Sequence, residues 1–169
     1  IVYLFQTIKA DQKILAVTFN HKAAREMKER LEKKLPGQAN RLFVGTFHQF
    51  CLSLLREFSA QTNLPKDFQV ADPQEAEIFL KEIYPQAAAR ERKSMLEAMA
   101  LAKSNIQETI SESLAARYNQ FLREKGFLDF DDLLLETFKL LRDKEAIRRR
   151  VQDLFPLIFV DEYQDINGV

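Results

Sequence analysis

Three short apolar runs punctuate this chain, and amphipathic segments separate them. The runs are residues 13–19 (KILAVTF), 42–45 (LFVG) and 156–160 (PLIFV). Apolar, β-branched runs of this length are typical of strands buried on both faces of a parallel sheet. Residues 21–35 carry an apolar stripe at helical spacing and stop before Pro36-Gly37. The alternation of strand and helix predicts an α/β fold with crossover helices.

The middle of the chain has a purely helical pattern. Helices are predicted near residues 74–84, 90–104 and 107–125, and no convincing strand interrupts them. Asp72-Pro73 supplies an N-cap and first-turn proline for the first of these helices. Asp129 is a suitable N-cap for a further helix whose first turn is acidic, which matches the sign of the helix dipole.

These patterns predict that the chain consists of two structural parts. Residues 59–128 should form an all-helical insertion, and residues 1–58 and 129–169 should form the domain that contains the sheet. Apolar side chains at i, i+3, i+4 and i+7 also predict a helix over residues 1–10. Because no capping residue precedes it, we expect this helix to begin before residue 1.

Composition excludes several classes of protein. The 169 residues include 25 Lys plus Arg and 25 Asp plus Glu, so no net charge attracts nucleic acid or membrane. The single cysteine, Cys51, excludes an intramolecular disulfide and favours a reducing, cytoplasmic setting. The longest apolar run, residues 154–160, is far shorter than the roughly 20 residues that span a bilayer.

An acidic pair follows the last predicted strand. Asp161 and Glu162 lie at its carboxyl end, the edge where open α/β sheets build their sites. Hydrolysis of a triphosphate needs a carboxylate that holds a hard cation, which suits Asp161, and a group that orients water, which suits Glu162. Taken alone, the same pair also fits a helix cap or a solvated loop.

Four segments occur in an order that is hard to obtain by chance. They are residues 16–27 (AVTFNHKAAREM), 44–48 (VGTFH), 127–134 (FLDFDDLL) and 161–165 (DEYQD). In this order they resemble the motifs of UvrD/Rep-like DNA helicases of superfamily 1. The resemblance covers nearly the whole chain, including a helical insertion where that family carries its 1B subdomain.

The resemblance implies a partial RecA-like parallel sheet of the P-loop NTPase type with a helical insertion subdomain. It also implies ATP-dependent translocation on single-stranded DNA and unwinding of duplex DNA in the 3′ to 5′ direction. The implied cofactors are ATP and Mg²⁺, with the metal at Asp161. The implied partners are single-stranded DNA and DNA duplex junctions.

The resemblance also assigns residues to DNA and to nucleotide. Stacking and phosphate contacts with single-stranded DNA are implied for two motifs, at Thr18, Phe19, Lys22, Thr46, Phe47 and His48. In the last motif Glu162 and Gln164 are implied to be catalytic, with Gln164 and Asp165 linking nucleotide state to the DNA side. Phe19 could equally be a core residue at a strand end, and His48 could be a structural histidine at a helix start.

The chain departs from the family pattern at several positions. Asn20-His21 replaces the usual Thr-Asn, and Gln49 stands where a smaller residue is common. The four glycines lie at 37, 45, 126 and 168, and none begins the phosphate-binding run G-x-x-x-x-G-K-[ST]. We therefore expect no ATP hydrolysis or DNA unwinding by this chain alone. We also expect self-association through sheet edges that the missing strand would otherwise cover.

Two other interpretations remain open. The chain could be a binding module without turnover, in which basic residues hold DNA or a protein partner; the candidates are Arg90, Arg92, Lys93 and residues 148–150. It could also be a metal-dependent nuclease that uses Asp161, Glu162 and Asp165. The nuclease interpretation is the weaker one, because these carboxylates lie in one short segment and no further ligand is indicated.

Overall fold

The computed structural model describes residues 1–65, 67–104 and 114–163, and these form two compact units. The first unit contains Ile1–Leu54 together with the described residues from Lys139 onward, and the second contains Leu55–Phe138. None of the described helices is long and apolar enough to span a membrane. The helices and strands are, in chain order, β1 (Ile14–Thr18), α1 (His21–Lys34), β2 (Leu42–Thr46), α2 (Phe47–Glu57), β3 (Gln69–Val70), α3 (Pro73–Ile83), α4 (Ala89–Ser104), α5 (Leu114–Lys125), β4 (Phe127–Leu128), α6 (Phe130–Asp143), α7 (Glu145–Leu154) and β5 (Leu157–Val160).

The first unit is built on a three-stranded parallel sheet of order β2-β1-β5. All five residues of the central strand β1 are buried, as its unbroken apolar run predicts. α1 follows β1 and begins at Asn20, whose side chain accepts a hydrogen bond of 2.7 Å from the backbone N–H of Ala23. The predicted α/β fold with a partial parallel sheet is therefore confirmed.

The predicted helix over residues 1–10 is wrong. The segment contains only a four-residue 3₁₀ helix, Leu4–Thr7, and Ile8 is extended with ψ of 149°. The Arg41 guanidinium lies 4.6 Å from the centre of the Phe5 ring and donates hydrogen bonds to the carbonyls of Ile8, Lys9 and Gln12. Arg41 holds this segment through bonds to residues about 30 positions away in the sequence, so the local periodicity does not decide the conformation.

The second unit is mainly helical. α3, α4 and α5 pack through a buried cluster of apolar side chains, which are Ala76, Leu80, Ile83, Met99, Ala115, Tyr118 and Leu122. The N-cap prediction for α3 is confirmed, since Asp72 and Glu75 form a reciprocal capping box. The predicted helix over 107–125 is described only from Leu114 onward.

The expectation that the insertion contains no strand is wrong. β3 and β4 form a two-stranded parallel ladder in which Gln69 faces Phe127 and Val70 faces Leu128. The backbone N–H of Ala71 extends the ladder with a 2.8 Å hydrogen bond to the carbonyl of Leu128. Each strand has two residues, which is too short to leave a periodic pattern, and the pairing joins segments almost 60 residues apart in the sequence.

A buried ion cluster joins α4 to the start of α6 within the second unit. Lys103 is 2% exposed, and its Nζ lies 2.6 Å from Asp129 Oδ2 and 2.9 Å from Asp132 Oδ1. Asp129 also accepts a 2.8 Å hydrogen bond from the backbone N–H of Asp132, which confirms it as the cap of α6. Burial by itself would lower the pKa of Lys103, but the two carboxylates outweigh burial and raise it.

We predict that Lys103→Met destabilises the chain by about 3–5 kcal/mol, because two carboxylates would be left in the interior without a cation. Urea unfolding followed by circular dichroism measures this change. The matched control is Lys93→Met on the same helix, where the side chain is 79% exposed and its partner Glu97 is 4.0 Å away. The control should change the free energy of unfolding by less than about 0.5 kcal/mol, and equal losses in the two variants would contradict the prediction.

Candidate functional site

The carboxyl ends of three parallel strands lie level with one another in the first unit. Thr18 at the end of β1 faces Thr46 at the end of β2, and Val17 faces Val160 at the end of β5. The backbone N–H of Asp161 then donates a 3.0 Å hydrogen bond to the carbonyl of Val17. The residues singled out from the sequence on β1, β2 and β5 are thus brought to one edge of the sheet.

The acidic pair is exposed at this edge. Asp161 lines a cleft of about 430 Å³ together with Ile1, the end of β5 and one face of α1. The first residue of the chain and the first carboxylate after β5 therefore share one cleft. Gln164 and Asp165, which the sequence also singled out, lie outside the described residues.

Glu162 has a left-handed backbone conformation, with φ of 56°. A non-glycine residue in this region is uncommon and costs on the order of 1–2 kcal/mol. Such conformations persist where the surrounding structure enforces them, and they cluster at functional sites. The strain begins directly after the hydrogen bond that ties Asp161 to β1.

The two threonines of the edge are buried. Thr46 is 2% exposed, and its hydroxyl accepts a 3.2 Å hydrogen bond from the backbone N–H of Gln49, while Gln49 Oε1 accepts a 2.8 Å bond from the backbone N–H of Thr46. Thr46 and Gln49 therefore form a reciprocal capping box at the start of α2. Thr18 is fully buried, and its Oγ1 has no hydrogen-bond partner among the described residues.

The role of Gln49 could have been found in the sequence. Thr46-x-x-Gln49 is a capping-box pattern, which explains why a long polar side chain stands at this position. The preceding glycine is part of the same arrangement. A Cβ atom built on Gly45 would lie 2.8 Å from Gln49 Oε1 and 3.1 Å from the Phe43 ring, so only glycine leaves room for the cap.

Two aromatic rings form a pair at the same edge. The ring centres of Phe19 and Phe47 are 5.2 Å apart, and the planes are inclined by 51°. Phe19 is 38% exposed and Phe47 is half-buried, so part of each ring is packed and part is accessible to solvent. The exposure of Phe19 contradicts its interpretation as a buried core residue.

Lys22 and His48 flank this aromatic pair along the sequence but differ in environment. Lys22 is exposed in the first turn of α1, whereas His48 is half-buried in the first turn of α2. Burial, and to a smaller extent the nearby His21, lowers the pKa of His48. The lowered pKa favours the neutral form of the His48 imidazole.

Several basic residues of the binding-module interpretation have structural partners. Arg92 has a side chain that is 11% exposed, bonds to the carbonyl of Ala87 and lies 3.7 Å from Glu77. Arg148 donates to the carbonyls of Leu141 and Arg142 at the end of α6, and Arg149 pairs with Glu145 at 2.6 Å. Within residues 1–65, 67–104 and 114–163, no group of three or more His, Cys, Asp or Glu side chains could hold a metal ion.

We predict that the pKa of His48, followed by NMR, lies below 6.5 and rises only part of the way back in His21→Ala, since burial is the larger cause. Because the folded pKa is lower than that of the unfolded chain, the unfolded chain binds more protons on acidification. His48 therefore lowers the free energy of unfolding as the pH falls from about 6.5 to its folded pKa. A pKa at or above 6.5 would contradict this account.

Comparison with known proteins identifies the family. The whole chain, residues 1–169, matches the model of the UvrD/REP helicase N-terminal domain. The ATP-dependent DNA helicase PcrA of Bacillus subtilis (strain 168) is 32% identical, and PcrA of Staphylococcus aureus (strain Mu50) is 31% identical, each over 91% of this chain. The ATP-dependent DNA helicase SRS2 of Saccharomyces cerevisiae is 29% identical over 92% of this chain.

The chain spans less than a quarter of the length of these relatives: 23% of each PcrA and 16% of SRS2. The order of its motifs, its parallel sheet and its match to the family model over residues 1–169 all indicate the same family. The chain belongs to the UvrD/REP helicase family, and its residues match the N-terminal domain of that family.

Proposed function

We propose that this chain forms part of an ATP-dependent 3′ to 5′ DNA helicase. In this proposal the residues after β5 hold Mg²⁺-ATP, and the residues after β1 and β2 hold single-stranded DNA. The observation that carries the proposal is the level edge of the parallel sheet. It presents an acidic pair after β5 and an exposed aromatic pair after β1 and β2. The polarity rests on the family resemblance.

On the nucleotide side, the donor set fits a hard cation. The Asp161 carboxylate is exposed in a cleft at the end of β5, and carboxylate oxygens are ligands that a hard cation prefers. A bound Mg²⁺ would neutralise charge on the transferred phosphoryl group. Asp161 would hold that ion, and Glu162 would orient the attacking water. The chain has no G-x-x-x-x-G-K-[ST] run, so the main grip on the phosphates is not among its residues.

On the DNA side, the aromatic pair suits binding that does not depend on sequence. Every base has a face that can stack on Phe19 and Phe47, and Lys22 lies three residues after Phe19, where it can contact the backbone. The hydrogen bond from Asp161 to Val17 links the end of β5 to the strand that carries Phe19. A change in nucleotide state could therefore move the DNA-binding edge directly.

We predict that Phe19→Ala weakens binding of a dT oligonucleotide by roughly 5- to 150-fold, since stacking on one aromatic contributes about 1–3 kcal/mol per base. Fluorescence anisotropy of a labelled oligonucleotide measures the dissociation constant. Phe130→Ala is the matched control, because Phe130 is also a partly exposed phenylalanine, at 43%, but lies in the second unit. Undiminished binding by Phe19→Ala would refute the stacking role.

The catalytic role of Glu162 needs the phosphate loop that this chain lacks. We propose a chimera in which the chain replaces the matching segment of Bacillus subtilis PcrA. Glu162→Gln in this chimera should lower DNA-stimulated ATP hydrolysis by about 10²- to 10⁴-fold, because a positioned proton acceptor contributes that much, while nucleotide binding is retained. Glu29→Gln, an exposed carboxylate on α1, is the control. Hydrolysis at the same rate in the Glu162→Gln and Glu29→Gln chimeras would rule out this role.

A further inference from the structure

A basic cleft lies beside α1 in the first unit. It has a volume of about 520 Å³, and its lining residues are His21, Lys22, Ala24, Arg25, Lys28, Val44 and Gln49. In the part of the chain that the structure describes, every charged side chain of this lining is a cation. A concave surface lined in this way favours an anion, because the cations lie together and no carboxylate is between them.

The charges of this cleft are largely uncompensated. Lys22 and Arg25 are exposed, and neither has an ion pair or a hydrogen bond to any described residue. Lys28 lies 4.0 Å from Glu32 across an exposed helix surface, a weak interaction. Arg30 on the same helix has a similar exposed pairing, with Glu26 at 3.8 Å. The local excess of positive charge exists although the whole chain has a net charge of zero.

The spacing of the three cations suits a linear polyanion. Lys22, Arg25 and Lys28 follow at intervals of three residues, so successive positions rise by about 4.5 Å along the axis of α1. Over this rise of about 9 Å the positions also turn around the helix, because each step of three residues falls about 60° short of a full turn. A polyanion that contacts all three would therefore follow the curved side of α1. The positive end of the α1 dipole lies at the Lys22 end of the row.

Residues that line the basic cleft follow both rings of the aromatic pair closely in the sequence. His21 follows Phe19 by two residues, and Gln49 follows Phe47 by two residues. Since successive Cα atoms are about 3.8 Å apart, each ring is attached within roughly 8 Å of a residue that lines the cleft. A DNA strand whose bases stack on the rings would therefore have its phosphates close to the cations of the cleft.

We propose that Lys22, Arg25 and Lys28 form a phosphate-binding cleft for single-stranded DNA, which extends the DNA-binding surface from the aromatic pair along α1. This inference rests on the proposed DNA-binding function. It assigns DNA contacts to Arg25 and Lys28, which are one and two turns beyond the residues at the sheet edge. The bases on the aromatic pair and the phosphates in the cleft belong to consecutive nucleotides of one strand.

The test is the salt dependence of dT20 binding by the double variant Arg25→Gln/Lys28→Gln. Each lost phosphate contact on a single strand lowers the slope of log K against log salt by about 0.7, so the slope should become shallower by about 1.4. Lys33→Gln/Lys34→Gln is the matched control, because it removes the same charge from exposed positions in the last turn of α1. The control should keep the wild-type slope.

Each outcome bears on a different claim. A wild-type slope in Arg25→Gln/Lys28→Gln, or an equal fall in the control, overturns the phosphate cleft, while weakened binding by Phe19→Ala still supports the proposed function. Failure of the wild-type chain to bind dT20 contradicts both. Displacement of dT20 from the chain by a poly-glutamate peptide at equal charge concentration overturns DNA as the occupant and indicates an acidic protein segment instead. A slope reduced only in Arg25→Gln/Lys28→Gln supports the cleft.

Discussion

Hydrogen bonding of β1 to both β2 and β5 is the interaction on which the candidate site depends. β1 is buried along its length, and it fixes the height of both neighbours through two parallel ladders. Because the ladders start level, the strand ends also finish level, and the side chains that follow them share one edge. A shift of one residue in either ladder would turn every side chain of the shifted strand to the other face, and the strand ends would no longer be level.

The residues of this edge are of two kinds: some are buried and anchor the backbone, and others are exposed to solvent. Thr18 and Thr46 are buried, and Thr46 uses its hydroxyl to cap α2. The exposed positions are Phe19, Asp161 and Glu162, which come next in the chain after two of the strands. Strand ends suit this arrangement because the last buried residue anchors the backbone, and the residue beyond it is free to meet a ligand.

The second unit is stabilised by a different interaction. Lys103 pairs with the carboxylates of Asp129 and Asp132, and Asp129 also caps α6, so the ion cluster and the helix start depend on each other. The nearby Tyr118 is buried with its ring 5.5 Å from Lys103 Nζ, and burial together with these carboxylates raises the pKa of its hydroxyl. The first unit has a group of exposed cations on α1, whereas the second unit buries the cation of Lys103 among carboxylates.

Sequence by itself determined the strands of the sheet, α1 with its boundary, the cap of α3 and the order of the four motifs, because these depend on local periodicity and capping chemistry. Only the tertiary structure decided that the first ten residues are not one helix, that β3 pairs with β4, and that Lys103 is a buried ion partner. Those features depend on contacts between residues that are distant in the sequence, and no local sequence pattern predicts such contacts. The basic cleft belongs to the same class, since it needs β2 to lie beside α1 before its cations become the wall of one cavity.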